Sequence, residues 1–205
     1  SYKITANSVY GQLGASFNNF GNVEIAASCT AVGRQLLKYA QDITLSKFHG
    51  SECVYGDTDS IFVKFCLKNH EPGCTNYEDE CKCPLIQEPM SHQGLQENIR
   101  LAEMAEEIVT NSLAKDNDCT ENIHRLEYEK TYNPFLLFTK KKYVGKKLQK
   151  IDSKGIVLSR RDNCPILKDI YWCCVENILN SEIDKSYQKL DEYLKKILDN
   201  KFDVS

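Results

Sequence analysis

The 205-residue chain lacks any apolar run close to the roughly 18 residues that a membrane-crossing helix needs. It also lacks a regular cysteine framework. Its 10 Cys are scattered, with only Cys173 and Cys174 adjacent, a pattern that suits reduced thiols in an intracellular protein better than a disulfide scaffold. There is no excess of positive charge; the formal net charge is −3. No repeats or low-complexity tracts occur. There is no initiator Met and no signal sequence, the chain opens in mid-pattern, and its last six residues follow a helical run without a stop signal. A piece of a longer protein is therefore expected. What remains is ordinary for a soluble globular protein, with 41% hydrophobic and 27% charged residues. The length allows one or two domains with a real core.

Residues 54–63 are the centre of the reading. Cys53, Val54 and Tyr55 suit one strand, and residues 61–65 suit another. Gly56, Asp57 and Asp59 break the run with turn chemistry. Two carboxylates at one hairpin tip repel unless a cation joins them. Hard oxygen ligands suit Mg²⁺, which takes one or two carboxylates together with substrate phosphates. The alternative is a solvated Asx turn. An EF-hand does not fit, because its later ligands are missing.

The flanks add chemistry. Residues 2–11 read as the end of a helix with Lys3, Asn7 and Tyr10 on one face, stopped or loosened by Gly11 and Gly14. That face suits phosphate, sugar and base, or else is a polar face in solvent. Residues 23–48 read as a long helix behind the hairpin, despite Gly33. Residues 66–92 read as an acidic surface insertion; a zinc site from Cys66, Cys74, Cys81, Cys83 and His92 is a weaker alternative. Residues 93–115 read as an amphipathic helix that buries Leu95, Ile99, Ala102, Ala105, Val109 and Leu113 and turns Glu103, Glu106 and Glu107 to water. Residues 116–121 read as a loop, 123–129 as an alternating strand, and 135–138 as a buried strand.

Residues 140–150 hold six lysines and no acid. Interleaved Tyr143 and Val144 predict strands, hence a basic sheet face suited to a nucleic-acid backbone, or a solvated edge guarded by Lys. Residues 156–159 read as a short strand. Asn163 or Cys164 then caps a helix that starts at Pro165 and runs to about Leu179, and 184–200 read as a last amphipathic helix with Tyr187, Leu190, Leu194, Ile197 and Leu198 on one side.

Together these pieces resemble family B DNA-directed DNA polymerases, in particular the delta-like group that includes polymerases of large DNA viruses. Four matches occur in the family's order. Residues 3–11 resemble motif B of the fingers, with Lys, three residues, Asn-Ser, one residue and Tyr-Gly. Residues 55–60, Tyr-Gly-Asp-Thr-Asp-Ser, resemble motif C of the palm. Lys140, Lys141, Lys142 and Tyr143 resemble the Lys-Lys-Arg-Tyr motif that grips the primer duplex. Lys154-Gly155, followed by Arg160-Arg161-Asp162-Asn163-Cys164-Pro165, resembles the start of the thumb.

The resemblance implies an α+β fold: an antiparallel palm sheet backed by helices, with the end of the fingers at 1–20, palm at 21–155 carrying the 66–92 insertion, and thumb from 156. It implies template-directed deoxynucleotidyl transfer to a primer 3′ end with two Mg²⁺ ions. Asp59 would hold the metals, with Asp57 supporting the catalytic site and Glu129 as a further acid near the metals. Lys3, Asn7, Tyr10 and Thr58 would bind the incoming deoxynucleoside triphosphate. Lys140, Lys141, Lys142, Tyr143, Arg160 and Arg161 would bind template-primer DNA. A processivity factor would be a further partner of the intact protein, with no membrane involved, and the location would be the nucleus, or a host nucleus or cytoplasm for a viral protein.

Three departures stand out. Lys142 replaces the family's Arg, which keeps the charge and loses the planar fork. Val157 stands where delta-like relatives often carry Glu. Motif A, whose Asp would lie before residue 1, is absent, and one palm carboxylate cannot hold two ions roughly 3.5–4 Å apart. The chain by itself is therefore expected to be inactive. Two alternatives stay open at this point: a non-catalytic DNA-binding or scaffolding paralogue, and a zinc-binding interaction module in the insertion.

Overall fold

In the computed structural model, residues 2–15, 21–69, 83–88, 91–116, 124–147, 150–159, 161 and 163–199 are described. Helix and antiparallel sheet occur together, as an α+β chain requires. The chain forms two compact units, one of residues 1–87 and 97–128, the other of 88–96 and 129–205.

The first unit opens with α1 (Tyr2–Leu13), which runs through Gly11 rather than ending there. Helix α2 (Val23–Lys47) starts where Asn22 Oδ1 accepts the Ile25 N–H at 3.1 Å. Glu24 in its first turn and Lys47 in its last both favour the helix dipole. Helix α3 (His92–Asp116) buries Leu101, Ala105, Val109 and Leu113, one row at i, i+4 spacing. Leu101 joins that row unforeseen, while Leu95, Ile99 and Ala102 are only half-buried. Ala40 of α2 packs on Val109 and Leu113. Phe48 and Phe65 close a neighbouring core over Leu101 and Ala105, with their rings edge-on at 5.2 Å.

Strands β1 (Glu52–Asp57) and β2 (Ser60–Lys64) form the antiparallel hairpin, with a bulge between Cys53 and Tyr55. Ile61 drops into the α2–α3 core, which seats the hairpin on the two helices. Of the proposed insertion, residues 66–69, 83–88 and 91–92 fall among the described residues, with an isolated bridge between Lys68 and Leu85 and His92 already in α3. Cys74 and Cys81 lie outside them, and no group of three or more His, Cys, Asp or Glu that could hold a metal occurs among the described residues.

The alternating strand expected over 123–129 does not form. Described residues 124–129 are irregular, because α3 side chains take the hydrogen bonds that a strand partner would have taken. Thr110 Oγ1 accepts the Leu126 N–H at 3.1 Å and donates to the Leu126 carbonyl at 3.2 Å. Glu106, expected to face water, accepts the Tyr128 N–H at 2.8 Å. Of the loop expected at 116–121, Asp116 belongs to α3, and residues 117–121 lie outside the described set.

The second unit is the sheet β3 (Phe135–Thr139), β4 (Lys142–Lys147) and β5 (Lys150–Lys154), antiparallel in that order. β3 is less buried than its apolar sequence predicts: Leu137 and Phe138 are exposed, and a bulge between Leu137 and Thr139 turns the strand out of register. Tyr143, Val144 and Gly145 of β4 are all buried, so this central strand is covered on both faces. Val144 packs with Ile156 and with Val175 and Leu179 of α4 (Pro165–Leu179). The expected strand at 156–159 is instead a 3₁₀ turn, Val157–Ser159, which delivers Ile156 into that core. Helix α4 begins at Pro165 as read, with Cys164 in the cap position. Helix α5 (Ile183–Leu198) meets α4 through buried Ser186, whose hydroxyl donates to the Cys174 carbonyl at 3.4 Å. Its apolar row of Tyr187, Leu190, Leu194, Ile197 and Leu198 is therefore exposed rather than packed. No helix is long and apolar enough to cross a membrane among the described residues.

Thr110 supplies both bonds that fix Leu126. Thr110→Val keeps the shape and strands one N–H and one carbonyl, so it should cost about 1–3 kcal/mol of stability. Chemical denaturation checks this; a midpoint equal to that of the unaltered protein would contradict it.

Candidate functional site

The acidic tip is a two-residue turn. Asp57 ends β1 opposite Ser60, and Thr58 and Asp59 lie between them. The Asp57 carboxylate accepts the Thr58 N–H at 2.9 Å and the Thr58 hydroxyl at 3.2 Å through one oxygen, Oδ1. Both bonds run to the next residue rather than to the N–H two residues on that defines an Asx turn, and they involve only Asp57. Asp57 is half-buried, while Thr58 and Asp59 are exposed. The two acids differ in state: one braces the turn, and the other projects to solvent. The hairpin alone supplies two hard oxygen donors, a partial set for a divalent cation.

Of the motif B residues, Tyr10 is exposed on α1. Lys3 and Asn7 lie on the same helix, and their side chains are outside the described residues. Arg161 is exposed in the turn before α4, and Arg160 lies outside the described residues.

The lysine cluster does not form a basic sheet face. The middle of β4 is buried on both sides, so the lysines are displaced to the turn and the strand ends. Lys140 and Lys141 form the turn between Thr139 and Lys142, and all three lysines are exposed. Lys146, half-buried, reaches Asn180 Oδ1 at 3.3 Å, and Lys147 and Lys150 are exposed at the far end. Lys141 has φ of +63°. That left-handed backbone costs a residue with a Cβ roughly 1–2 kcal/mol. Tyr143 is buried beneath the turn, with its ring against Phe135 at 5.5 Å and Tyr132 at 6.1 Å.

A polar cluster supports this hairpin from below. Asp152 Oδ2 on β5 accepts the Tyr132 hydroxyl at 2.6 Å and the Lys130 ammonium at 2.8 Å. The Tyr132 ring stacks on Phe135 and lies against Gly145, where a Cβ would fall 2.4 Å from the ring. Burial works against the Asp152 carboxylate, but the bonds from Lys130 and Tyr132 outweigh it and hold its pKa below the usual range. Burial pushes the Tyr132 phenol up, and its bond to Asp152 reinforces the shift. For Lys130, burial opposes the charge, and its bonds to Asp152 and Tyr132 more than restore it. Glu129, by contrast, points outward: its side chain is 76% exposed and lies 3.3 Å from Lys130.

The sequence profile of DNA polymerase family B matches residues 1–76 and 89–205. This chain belongs to DNA polymerase family B. It is 37% identical to a DNA polymerase of Pyramimonas orientalis virus over 209 residues, covering 98% of this chain and 15% of that protein. It is 31% identical to the DNA polymerase delta catalytic subunit of Oryza sativa subsp. japonica over 217 residues, covering 99% of this chain and 17% of that subunit. With a DNA polymerase of Paramecium bursaria Chlorella virus NY2A it shares 32% identity over 209 residues, 98% of this chain and 20% of the viral one. The chain thus spans a fifth or less of the length of these relatives. The residues that the family profile leaves unmatched, 77–88, fall inside the insertion.

In this family B chain, sequence reasoning singled out the lysines, expected them on a sheet face rather than in a turn, and missed the residues packed beneath them. Lys130 and Tyr132 sit two apart in a stretch with no regular structure, and Asp152 is the one acid in a lysine-flanked strand. That lone acid was the available signal. Because the folded pKa of Asp152 is depressed, its charge contributes stability above the unfolded value of about 3.9 and loses it as pH falls through the lower folded value. Asp152→Asn should therefore be less stable than the unaltered protein at pH 7, and the gap should close below about pH 4. Denaturation midpoints across pH 2–7 check this; a gap independent of pH would contradict it.

Proposed function

We propose that the intact protein is a DNA-directed DNA polymerase, of which this chain forms the end of the fingers (1–20), the palm (21–155, with the insertion 66–92) and the start of the thumb (from 156). The observation that carries the reading is the exposed Asp59 carboxylate, beside an Asp57 already engaged by its turn, in a chain of family B. The structural units cut across this division: β3–β5 of the proposed palm share a core with α4 of the proposed thumb.

The reaction is in-line attack of the primer 3′ hydroxyl, with loss of its proton, on the α-phosphate of a deoxynucleoside triphosphate; the bond between the α- and β-phosphates breaks and pyrophosphate leaves. Two Mg²⁺ ions would supply charge stabilisation at the attacking and leaving oxygens. The exposed carboxylates of Asp59 and Glu129 are hard, anionic donors that fit such ions. Asp57 holds the turn that presents Asp59. Lys3 and Asn7 meet the triphosphate, Tyr10 and Thr58 lie along the nucleotide, and Lys140, Lys141 and Lys142 hold the template-primer backbone. Tyr143 anchors that turn from beneath, and Arg160 and Arg161 extend the grip into the thumb. The contribution of these residues is positioning and charge, with no covalent intermediate. A processivity factor is a further partner in this reading, and the setting is intracellular.

Asp59→Ala in the intact protein should lower primer extension by roughly 10³-fold or more while leaving duplex binding close to normal. Steady-state extension with a gel-shift control measures both. Full extension by that variant would overturn the reading, whereas lost binding would make Asp59 a structural residue.

Replacing Lys140, Lys141 and Lys142 by Ala should weaken duplex binding and reduce the log–log salt slope by about 0.9 for each phosphate no longer neutralised. A slope identical to that of the unaltered protein would remove the turn from the DNA interface.

A further inference from the structure

Gly155 follows β5 directly and passes beside the lysine turn. Its φ is +67°, a left-handed conformation. A Cβ built on it would lie 2.0 Å from the carbonyl oxygen of Lys141, 3.1 Å from the Lys141 carbonyl carbon and 3.4 Å from Lys142 Cγ. The nearest obstacle is backbone, which cannot swing aside as a side chain does. Lys141 is itself left-handed, at φ +63°, without being glycine. A strained residue of this kind persists where its neighbours over-determine it. The register explains the encounter: Tyr143 pairs with Lys154, so the next residue of the β5 strand meets the chain just before Tyr143.

We propose that Gly155 is a positioning residue for DNA binding: its bare Cα lets the backbone after β5 close on Lys141, fixing the direction in which Lys140, Lys141 and Lys142 present their ammonium groups. This rests on the reading of that turn as a grip on the duplex. A side chain at 155 pushes the Lys141 carbonyl away and tilts the whole turn. The lysines keep their charge and lose their common aim, so fewer phosphates are neutralised although no charged residue has been touched.

The test uses the intact protein and a fluorescent primer-template duplex, with binding followed by anisotropy over a salt series. Four proteins are compared: unaltered, Gly155→Ala, the triple Lys140→Ala/Lys141→Ala/Lys142→Ala, and the two combined. Gly155→Ala should weaken binding about tenfold and flatten the salt slope by the share of one or two phosphates, about 0.9 each. In the triple-alanine background it should add nothing. Gly155→Asn should be no milder than Gly155→Ala, because Asn tolerates the left-handed backbone but brings the same Cβ. If the triple variant binds normally, the grip itself is refuted and the inference falls with it. If the triple variant binds weakly while Gly155→Ala binds normally, or costs the same factor in both backgrounds, the grip stands and the role of Gly155 is overturned. Should Gly155→Ala fail to fold, Lys141→Gly is added so that residue 141 can yield. Recovery of folding and of the binding shown by Lys141→Gly alone supports the proposal, and continued failure to fold overturns it.

Discussion

Val109 of α3 meets Ala40 of α2 with its side chain wholly shut off from water. A Val buried in this way contributes about 1.5–3 kcal/mol. Leu36, Ile43 and Leu113 extend the packing along both helices. Ile61 enters the same core from β2, and Leu126 enters it from beyond α3. The base of the hairpin is thereby fixed to the helices, and its tip is left to water. At that tip the Thr58 N–H engages one carboxylate oxygen of Asp57 and sets the turn. Asp59 is thus held out by its neighbour, and the two acids divide the work of support and presentation.

The second unit meets an opposite problem. Lysines at 140–142 repel one another, and nothing in their own chemistry keeps them together. The turn holds because the strand beneath it is packed from both sides. Val144 is locked into the α4 core on one face, and on the other the Tyr132 ring lies flush on Gly145. Asp152 then ties the Tyr132 phenol and the Lys130 ammonium to the edge strand β5. Charge at the tip depends on burial and a paired carboxylate at the base.

The parts of this arrangement legible in the sequence are those with a period. The α3 row from Ala105 to Leu113 repeats every four residues, so its core face could be read in advance. The acidic hairpin announced itself through turn residues between two runs that suit strands. The segment after α3 was misread because alternation of Leu126 and Tyr128 with charged residues looks the same whether a strand or two helix side chains hold the backbone. Thr110 and Glu106, sixteen and twenty-two residues away, made that choice. Tyr143 read as part of a basic face because sequence does not reveal that Tyr132 and α4 cover β4 from opposite sides. The approach of Gly155 to Lys141 is a matter of backbone path, to which composition and periodicity are blind. For the candidate site, residue types singled out Asp59 and the lysines at 140–142, while the residues packed around them became visible only in the tertiary structure.

The proposed function requires the tip at Thr58 and Asp59 to lie against a divalent cation when nucleotide and duplex are bound. Iron-mediated oxidative cleavage of the intact protein tests it most directly. Fe²⁺ replacing Mg²⁺, supplied with hydrogen peroxide as oxidant and ascorbate to re-reduce the iron, generates short-lived radicals that cut the backbone beside it. With primer-template and deoxynucleoside triphosphate present, scission should fall at residues 57–60 and fade as Mg²⁺ is added. Scission elsewhere in the protein, with residues 57–60 intact, would contradict the account.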